Sequence, residues 1–245
     1  MRNAAQVLSS AAVSSGFLGQ EPTSTAIGGV CSLRCIESAI AATKLADEDE
    51  LHADAIVTAP ISKTSWDMAA VEAGLTRSEF PGHTELLAAR YAATRHAMLF
   101  VGPTLRVALA TIHVPLARVS GMLTVGGIRD VIELANEACI KLGVRMPRIA
   151  VCGLNPHAGE HGLMGEEDDA IIEPAVRASR EGGINVSGPH PGDAVFVHAA
   201  KGKYDLVVAM YHDQGLIPIK VLDLSLIHIS EPTRLRRISY AVFCL

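Results

Sequence analysis

Residues 148–160 read RIAVCGLNPHAGE, an apolar run that stops at Gly153 and passes into a loop carrying His157. A short apolar run followed by Gly, Asn and Pro is typical of a buried strand in an α/β protein. Such a strand presents the loop that follows it at the carboxyl edge of the sheet, where ligands bind. The stretch therefore predicts a buried strand that delivers His157 to a site.

Two further histidines follow apolar runs in the same way. His113 closes the stretch LRVALATIH and His212 closes DLVVAMYH. Three imidazoles from separate loops can hold a divalent cation and leave a coordination position open for substrate. No local metal motif accompanies them, and ordinary capping or core histidines are the commoner explanation of such a pattern. Asp213 and Glu160 are candidates to orient the imidazoles; Asp213 is alternatively a helix cap.

The rest of the chain alternates between predicted strands and helices, which indicates a three-layer α/β fold. The Gly102-Pro103-Thr104 turn predicts a hairpin, so the sheet is expected to be mixed. A loop is predicted at 187–192, and Glu166 to Asp169 are expected to be mostly capping and solubilising charges. We predict strands at 53–59, 97–101, 105–112, 148–152, 184–186 and 206–211, and helices at 32–46, 84–93, 127–142 and 170–179. Residues 193–200 are predicted to form a short helix or a turn.

A second candidate site lies where a helix is predicted to begin at Thr84, after Pro81-Gly82-His83. Helix N-termini bind anions through free N–H groups and the positive end of the helix dipole. His83 and Thr84 would then flank a phosphate or carboxylate. The simpler alternative is a turn histidine beside an N-cap threonine, with Ser62 or Thr64 capping the preceding helix in the same way.

Composition excludes several classes of function. The 245-residue chain has a net charge of -5 and only 4% aromatic residues, so it predicts no nucleic-acid partner. Its five cysteines are irregularly spaced, which favours reduced thiols and a cytoplasmic location. No apolar run reaches the length of a transmembrane helix, so we expect no membrane association.

Four stretches together resemble the 4-hydroxythreonine-4-phosphate dehydrogenase family. In order along the chain they are PGHTE (81–85), LRVALATIHVPL (105–116), CGLNPHAGE (152–160) and AMYHDQGLIPIK (209–220). The resemblance covers roughly residues 54–221. It implies a fold like that of isocitrate and isopropylmalate dehydrogenases, and a homodimer whose active site lies at the subunit interface.

The resemblance also implies a reaction and roles for individual residues. The family oxidises a secondary alcohol of a phosphorylated hydroxy amino acid with NAD, and the product loses carbon dioxide during pyridoxal phosphate synthesis. His113, His157 and His212 match its ligands for a divalent metal (Zn, Mg or Co), one of them supplied by the partner subunit. His83, Thr84 and Lys220 match substrate contacts, and we assign catalytic roles to Lys220 and Asp213. No residue is matched to NAD.

Other functions remain open from the sequence. Relatives within the family act on four-carbon sugar-acid phosphates such as threonate or erythronate phosphates, or on a dihydrodiol dicarboxylate. A metal- or anion-binding fragment without catalysis is a third interpretation.

The chain departs from the family pattern at both ends. No GDPAGIGPE-like loop occurs near the N-terminus, and the residues after Val221 become Arg-rich. We therefore expect a partial N-terminal segment at 1–50, a truncated catalytic region at 51–222 and a non-native tail at 223–245. Loss of cofactor-binding segments would leave this chain inactive or poorly soluble.

Overall fold

The computed structural model describes residues 24–58, 62–72, 83–222 and 241–244. They belong to two compact units, one ending at Thr94 and the other beginning at Arg95. Residues 1–23 of the segment expected at 1–50 and most of the tail expected at 223–245 lie outside the described residues.

The described part of the first unit is helical. The Oγ1 of Thr25 caps the first helix by accepting the N–H of Gly28 at 3.1 Å. Packing between the first two helices is close at Gly29, where a Cβ atom would lie 1.9 Å from the Ser65 carbonyl oxygen. The helices are α1 (Ala26–Thr43), α2 (Lys63–Glu72) and α3 (His83–Arg90).

Helix α1 is the one described helix whose length and apolar composition would allow it to cross a membrane. Core helices of water-soluble proteins have the same properties. Here α1 packs against α2 through Gly29, and its Ser32 Oγ accepts a hydrogen bond from Trp66 Nε1 at 3.2 Å.

The strand predicted at 53–59 is wrong over its described part, because residues 53–58 are irregular. An extended segment forms a strand only when a neighbouring strand satisfies its backbone groups. Among the described residues of the first unit, the regular elements are all helices, so no described strand is available to pair with residues 53–58. The Ser62 cap is confirmed, since its Oγ accepts the N–H of Ser65 at 3.2 Å and α2 begins at Lys63.

The second unit is built on a mixed sheet, as predicted. Its order is β4-β3-β5-β2-β1-β6, with β2, β5, β3 and β4 parallel and with β1 antiparallel to both β2 and β6. The predicted hairpin is confirmed: Gly102 N–H donates to the Leu105 carbonyl at 2.8 Å. The strands are β1 (Ala97–Val101), β2 (Arg106–Leu109), β3 (Ile149–Cys152), β4 (Val186–His190), β5 (Leu206–Ala209) and β6 (Ala241–Cys244).

Helices cover both faces of this sheet, which confirms the three-layer arrangement. Along β3, Ile149 and Val151 join one core cluster, and Ala150 and Cys152 join the cluster on the opposite face. Burial raises the pKa of the Cys152 thiol, so that side chain stays protonated and serves as packing. The helices are α4 (Leu116–Met122), α5 (Val125–Lys141), α6 (Glu173–Glu181), α7 (Gly192–Ala200) and α8 (His212–Leu222).

The boundaries of β4 and β5 differ from the predictions. The loop predicted at 187–192 mostly belongs to β4, which tolerates Pro189 because it lies at the edge of the sheet. The strand predicted at 206–211 ends at Ala209, and α8 begins at His212.

An ion pair ties the amino ends of β3 and β5 together. Arg148 donates from Nε and Nη2 to the two carboxylate oxygens of Asp205, each at 2.9 Å. The hydrogen bond from Arg148 holds the pKa of Asp205 below its ordinary value. The two central parallel strands therefore start in a fixed register.

Helix α5 offers a test of the core. Ile132 is fully buried and Ile140, on the same helix, is 50% exposed. We expect Ile132→Ala to lower the free energy of unfolding by about 2–5 kcal/mol, because it leaves a cavity, whereas Ile140→Ala should cost less than about 1 kcal/mol. Urea unfolding followed by circular dichroism measures both. Equal losses in the two variants would contradict the assigned core.

Candidate functional site

The extensions of β2 and β5 bring His113 and His212 together. Ala110 N–H donates to the Ala209 carbonyl at 2.8 Å, and Thr111 N–H donates to the Met210 carbonyl at 3.2 Å. The buried Thr111 hydroxyl donates to the same carbonyl at 2.8 Å. Pairing therefore continues past both strands, and the two imidazole rings lie 5.5 Å apart between centroids.

The two histidines line a cleft of about 220 Å³ at the carboxyl edge of the sheet. Asp213 Oδ1 lies 2.8 Å from His212 Nδ1. When Nδ1 carries the proton that makes this bond, the Nε2 lone pair of His212 is available to a ligand. The lining residues are Ile112, His113, Val114, Leu116, Val119, Tyr211, His212 and Asp213.

His157 lies in a strained turn after β3. The turn Pro156–Gly159 has positive φ at His157 (55°) and Ala158 (54°), and the chain stays left-handed at Glu160 (45°) and His161 (56°). Each such non-glycine residue costs about 1–2 kcal/mol. The side chain of His157 is 65% exposed, and its Nδ1 lies 3.2 Å from Glu160 Oε2. An acid thus engages Nδ1 of His157, as Asp213 does for His212.

Residues after this turn correct the prediction that Glu166 to Asp169 are mostly capping and solubilising charges. Asp168 is fully buried and accepts hydrogen bonds from the backbone of Leu154 and from Asn155. Glu167 accepts hydrogen bonds from Ser120 Oγ at 2.6 Å and from Asn155 Nδ2 at 2.8 Å. These two hydrogen bonds hold the pKa of Glu167 below its ordinary value, and the bond from Ser120 has the larger effect.

The three predicted metal ligands do not converge within one chain. Over residues 24–58, 62–72, 83–222 and 241–244, no three His, Cys, Asp or Glu side chains form a group that could hold a metal ion. The structure brings His113 and His212 together and leaves His157 in its own exposed turn. Two imidazoles with a carboxylate behind one of them form an incomplete set of metal ligands.

The remaining predicted residues are carried by helices α8 and α3. Lys220 lies eight residues beyond His212 on α8, which is about 12 Å along the helix axis. Thr84 lies in the first turn of α3 in the first unit, and His83 begins that helix. The His83 ring meets Trp66 edge-on at 5.1 Å between centroids, and burial holds the pKa of His83 below its ordinary value.

Gln214 is a functional candidate that the sequence patterns missed. Its Oε1 accepts the Met210 N–H at 2.7 Å, and its Nε2 donates to the Gly153 carbonyl at 2.7 Å. Gly153 also receives support from β4, because its N–H donates to the His190 carbonyl at 2.7 Å. One side-chain amide therefore links the loop after β3 to the loop after β5. The only signal in the sequence is its position just after the end of a strand.

A larger cleft of about 370 Å³ lies at the amino ends of β2 and β5, beside Arg106, Tyr204 and Asp205. It contains none of the residues predicted to act in catalysis or binding. Ligands of parallel sheets gather at the carboxyl ends of strands, so the smaller cleft is the better candidate site.

The three-layer fold and a ligand cleft at the carboxyl edge define a class of α/β dehydrogenases with the isocitrate/isopropylmalate dehydrogenase-like fold. The family model described as "Pyridoxal phosphate biosynthetic protein PdxA" matches residues 4–227, and the chain belongs to this family. The match begins well before residue 54, where the resemblance read from motifs begins.

Known proteins agree with this membership. A 4-hydroxythreonine-4-phosphate dehydrogenase of Desulforapulum autotrophicum is 50% identical over 172 residues, covering 70% of this chain and 48% of that protein. A D-threonate 4-phosphate dehydrogenase of Cupriavidus necator is 45% identical over 202 residues, covering 82% and 57%. The crystal structure of a 4-hydroxythreonine-4-phosphate dehydrogenase from Klebsiella pneumoniae has a TM-score of 0.73 at 41% identity, covering 84% and 59%. The chain spans about half the length of the curated relatives it matches.

The Gln214 bridge can be tested by removing its polar atoms. Gln214→Met keeps the side-chain length but leaves the Met210 N–H and the Gly153 carbonyl without their partner. We expect a loss of about 1–3 kcal/mol in the free energy of unfolding. Ile217→Ala, at an exposed position of the same helix, should change it by less than about 1 kcal/mol. Urea unfolding measures both, with amide exchange at Met210 as a local readout. An unchanged exchange rate at Met210 in Gln214→Met would contradict the bridge.

Proposed function

We propose that this chain is the metal- and substrate-binding part of an NAD-dependent, divalent-metal-dependent dehydrogenase. Its substrate is a 4-phosphooxy-threonine-type amino acid, oxidised and decarboxylated in pyridoxal phosphate biosynthesis. The observation that carries the proposal is the pairing of His113 and His212 at adjacent strand ends in a chain of the PdxA family.

His157 completes the metal site from a second copy of the chain. Its exposed imidazole lies outside the His113–His212 group, and Glu160 holds its Nδ1. A set of three imidazoles favours Zn or Co over Mg, which prefers oxygen ligands. When bound, the cation supplies Lewis-acid stabilisation of negative charge on substrate oxygens.

Exposed apolar side chains near both parts of the site support a homodimer. Leu163 is 75% exposed in the loop that follows His157, and Leu116 and Met122 are exposed on α4 beside the cleft. Burial of exposed apolar side chains between two copies favours their association. A second copy would cover them and bring its His157 to the cleft. We place this homodimer in the cytoplasm.

His83, Thr84 and Lys220 are the proposed substrate contacts. The His83 Nε2 is buried and has no hydrogen-bond partner among the described residues, which suits a bond to a ligand oxygen. The lowered pKa keeps His83 neutral near pH 7, so it carries a single ring N–H. Lys220 adds positive charge.

Asp213 and Lys220 have the catalytic roles in this proposal. Asp213 fixes the tautomer and orientation of His212 through Nδ1. Lys220, carried on α8, stabilises negative charge that develops on the substrate and is a candidate proton donor. Residues that contact NAD are not assigned to this chain.

The identity of the third ligand can be tested with metal binding. We expect His157→Ala to weaken Co²⁺ binding by at least tenfold while circular dichroism and the melting temperature stay close to those of the unmodified chain. His161→Ala removes an exposed histidine of the same left-handed segment and should leave Co²⁺ binding unchanged. Equilibrium dialysis measures the bound metal. Unchanged Co²⁺ affinity in His157→Ala would exclude His157 as a ligand.

Mixing variants tests whether the site is shared between copies. His157→Ala and His113→Ala should each bind Co²⁺ poorly alone. A heterodimer of the two rebuilds one complete site, with His113 and His212 from one chain and His157 from the other. Recovery of up to half of the original sites per dimer is expected. No recovery in a mixture whose heterodimers are detected by mass spectrometry would show that the site is not shared.

The substrate is tested with a panel, because one relative is named for D-threonate 4-phosphate and is 45% identical to this chain. The panel contains 4-phosphooxy-threonine, threonate 4-phosphate, erythronate 4-phosphate and a dihydrodiol dicarboxylate. Calorimetric binding in the presence of Co²⁺ ranks the compounds, and NADH formation reports turnover. We expect 4-phosphooxy-threonine to bind most tightly. Tighter binding of threonate 4-phosphate would move the assignment to a sugar-acid phosphate, and no binding of any compound would contradict the proposed function.

A further inference from the structure

A buried carboxylate, Asp168, holds the loop that carries His157. The Asp168 side chain is 0% exposed and lies in the π-helical turn Asp168–Ile172. Its Oδ1 accepts the N–H of Leu154 at 2.9 Å, and its Oδ2 accepts the N–H of Asn155 at 3.1 Å and the Asn155 Nδ2 at 3.0 Å. Both oxygens of a buried charge are therefore used on the two residues that lead into the turn.

Three glycines leave room for this arrangement. A Cβ on Gly153 would lie 2.5 Å from Asp168 Oδ1, and a Cβ on Gly165 would lie 2.5 Å from Asn155 Nδ2. A Cβ on Gly159 would lie 3.0 Å from the Asp168 Cβ. The backbone closes on Asp168 at two of these points and on its partner Asn155 at the third, so the loop is built around this pair.

A second set of bonds joins this loop to the wall of the cleft. Asn155 Nδ2 donates to Glu167 Oε2 at 2.8 Å, and Ser120 Oγ donates to Glu167 Oε1 at 2.6 Å. Ser120 belongs to α4, whose Leu116 and Val119 line the cleft. Both sets of bonds therefore hold residues 154–155, at the start of the turn that carries His157.

We propose that Asp168 is a positioning residue that fixes the direction in which His157 is presented to a metal held by a second copy. The inference rests on the proposed function, in which His157 is donated across a dimer interface. Glu160 is the polar partner of His157 among the described residues, and it belongs to the same turn. The direction of the imidazole is therefore set by the backbone of the turn, and Asp168 anchors that backbone at its start.

The chemistry of position 168 requires a carboxylate. Three N–H groups converge on its two oxygens. An asparagine of the same shape has one oxygen, and its NH₂ group would face at least one of these donors. Asp168→Asn should therefore loosen residues 154–155 with little change in volume.

A directional experiment separates positioning from a general structural effect. The reference is the heterodimer of His157→Ala with His113→Ala, whose single site takes its His157 from the His113→Ala chain. In one mixture, Asp168→Asn is added to the His113→Ala chain, which donates His157. In the other, Asp168→Asn is added to the His157→Ala chain, which supplies His113 and His212. Both heterodimers carry the same three substitutions.

We expect the first mixture to bind Co²⁺ about 10–100-fold more weakly than the reference, and the second to bind like the reference. Asp169→Asn is the matched control, because it removes a neighbouring charge that is exposed, and it should have no effect in either chain. Equal Co²⁺ affinity in the two Asp168→Asn mixtures, or weakening in the second alone, would overturn the inference. A reference heterodimer that binds no Co²⁺ would overturn the shared site and this inference together, so the two failures are distinguishable.

A milder substitution is used if Asp168→Asn prevents the chain from folding. If circular dichroism shows that chains with Asp168→Asn are unfolded, Asn155→Ser replaces that substitution in the same two mixtures. It removes the Nδ2 donor to Asp168 and Glu167 but leaves the carboxylate its two backbone donors. The same dependence on which chain carries the substitution is expected, and its absence would contradict the positioning role.

Discussion

Parallel hydrogen bonding of β5 to both β2 and β3 is the constraint on which the site depends. Val207 pairs with Val107 on one side and with Ala150 on the other, and all four residues of β5 are buried. Because the three strands run in one direction, their carboxyl ends reach the same edge of the sheet. The loops carrying His113, His157 and His212 therefore begin side by side. Strand pairing therefore determines which backbone segments can carry the chemistry.

How far the sequence predicts this fold depends on whether a segment carries its own signal. The β1–β2 hairpin, β3, β5 and α5 were predicted because apolar residues and turn residues define them locally. Residues 53–58 are apolar enough for a strand but form none, whereas β4 contains Gly188 and Pro189 and is a strand. β4 forms because β3 supplies its hydrogen bonds and because an edge position tolerates proline. Such partners are not visible within a short window of sequence.

The same limit applies to the site. His113 and His212 were identified because each ends an apolar run, and a strand end has a known place in a parallel sheet. Asp168 belongs to an acidic run that is most simply read as solvated, and its partners are backbone N–H groups 13 and 14 residues away. Gln214 bonds a carbonyl 61 residues away. A side chain that bonds backbone atoms needs no particular residue type at its partner, so the sequence contains no pattern that identifies the bond. Such bonds are visible only in the folded chain.

Strain in the turn around His157 has a physical reason if the site is shared. A ligand donated to another subunit must project from its own chain, and the polar side chain that engages His157 among the described residues, Glu160, belongs to the same turn. Four left-handed non-glycine residues and a buried carboxylate give the direction instead. The free energy needed to order the turn is then spent when the chain folds. Less free energy is lost on association of two copies around the metal than if the turn were ordered at that step. Metal that binds only the associated form also stabilises that form by mass action, which couples metal binding to dimer formation. In such an arrangement the bonds from the backbone to Asp168 contribute to the assembly of the site, even though the carboxylate itself is buried and would not touch the metal.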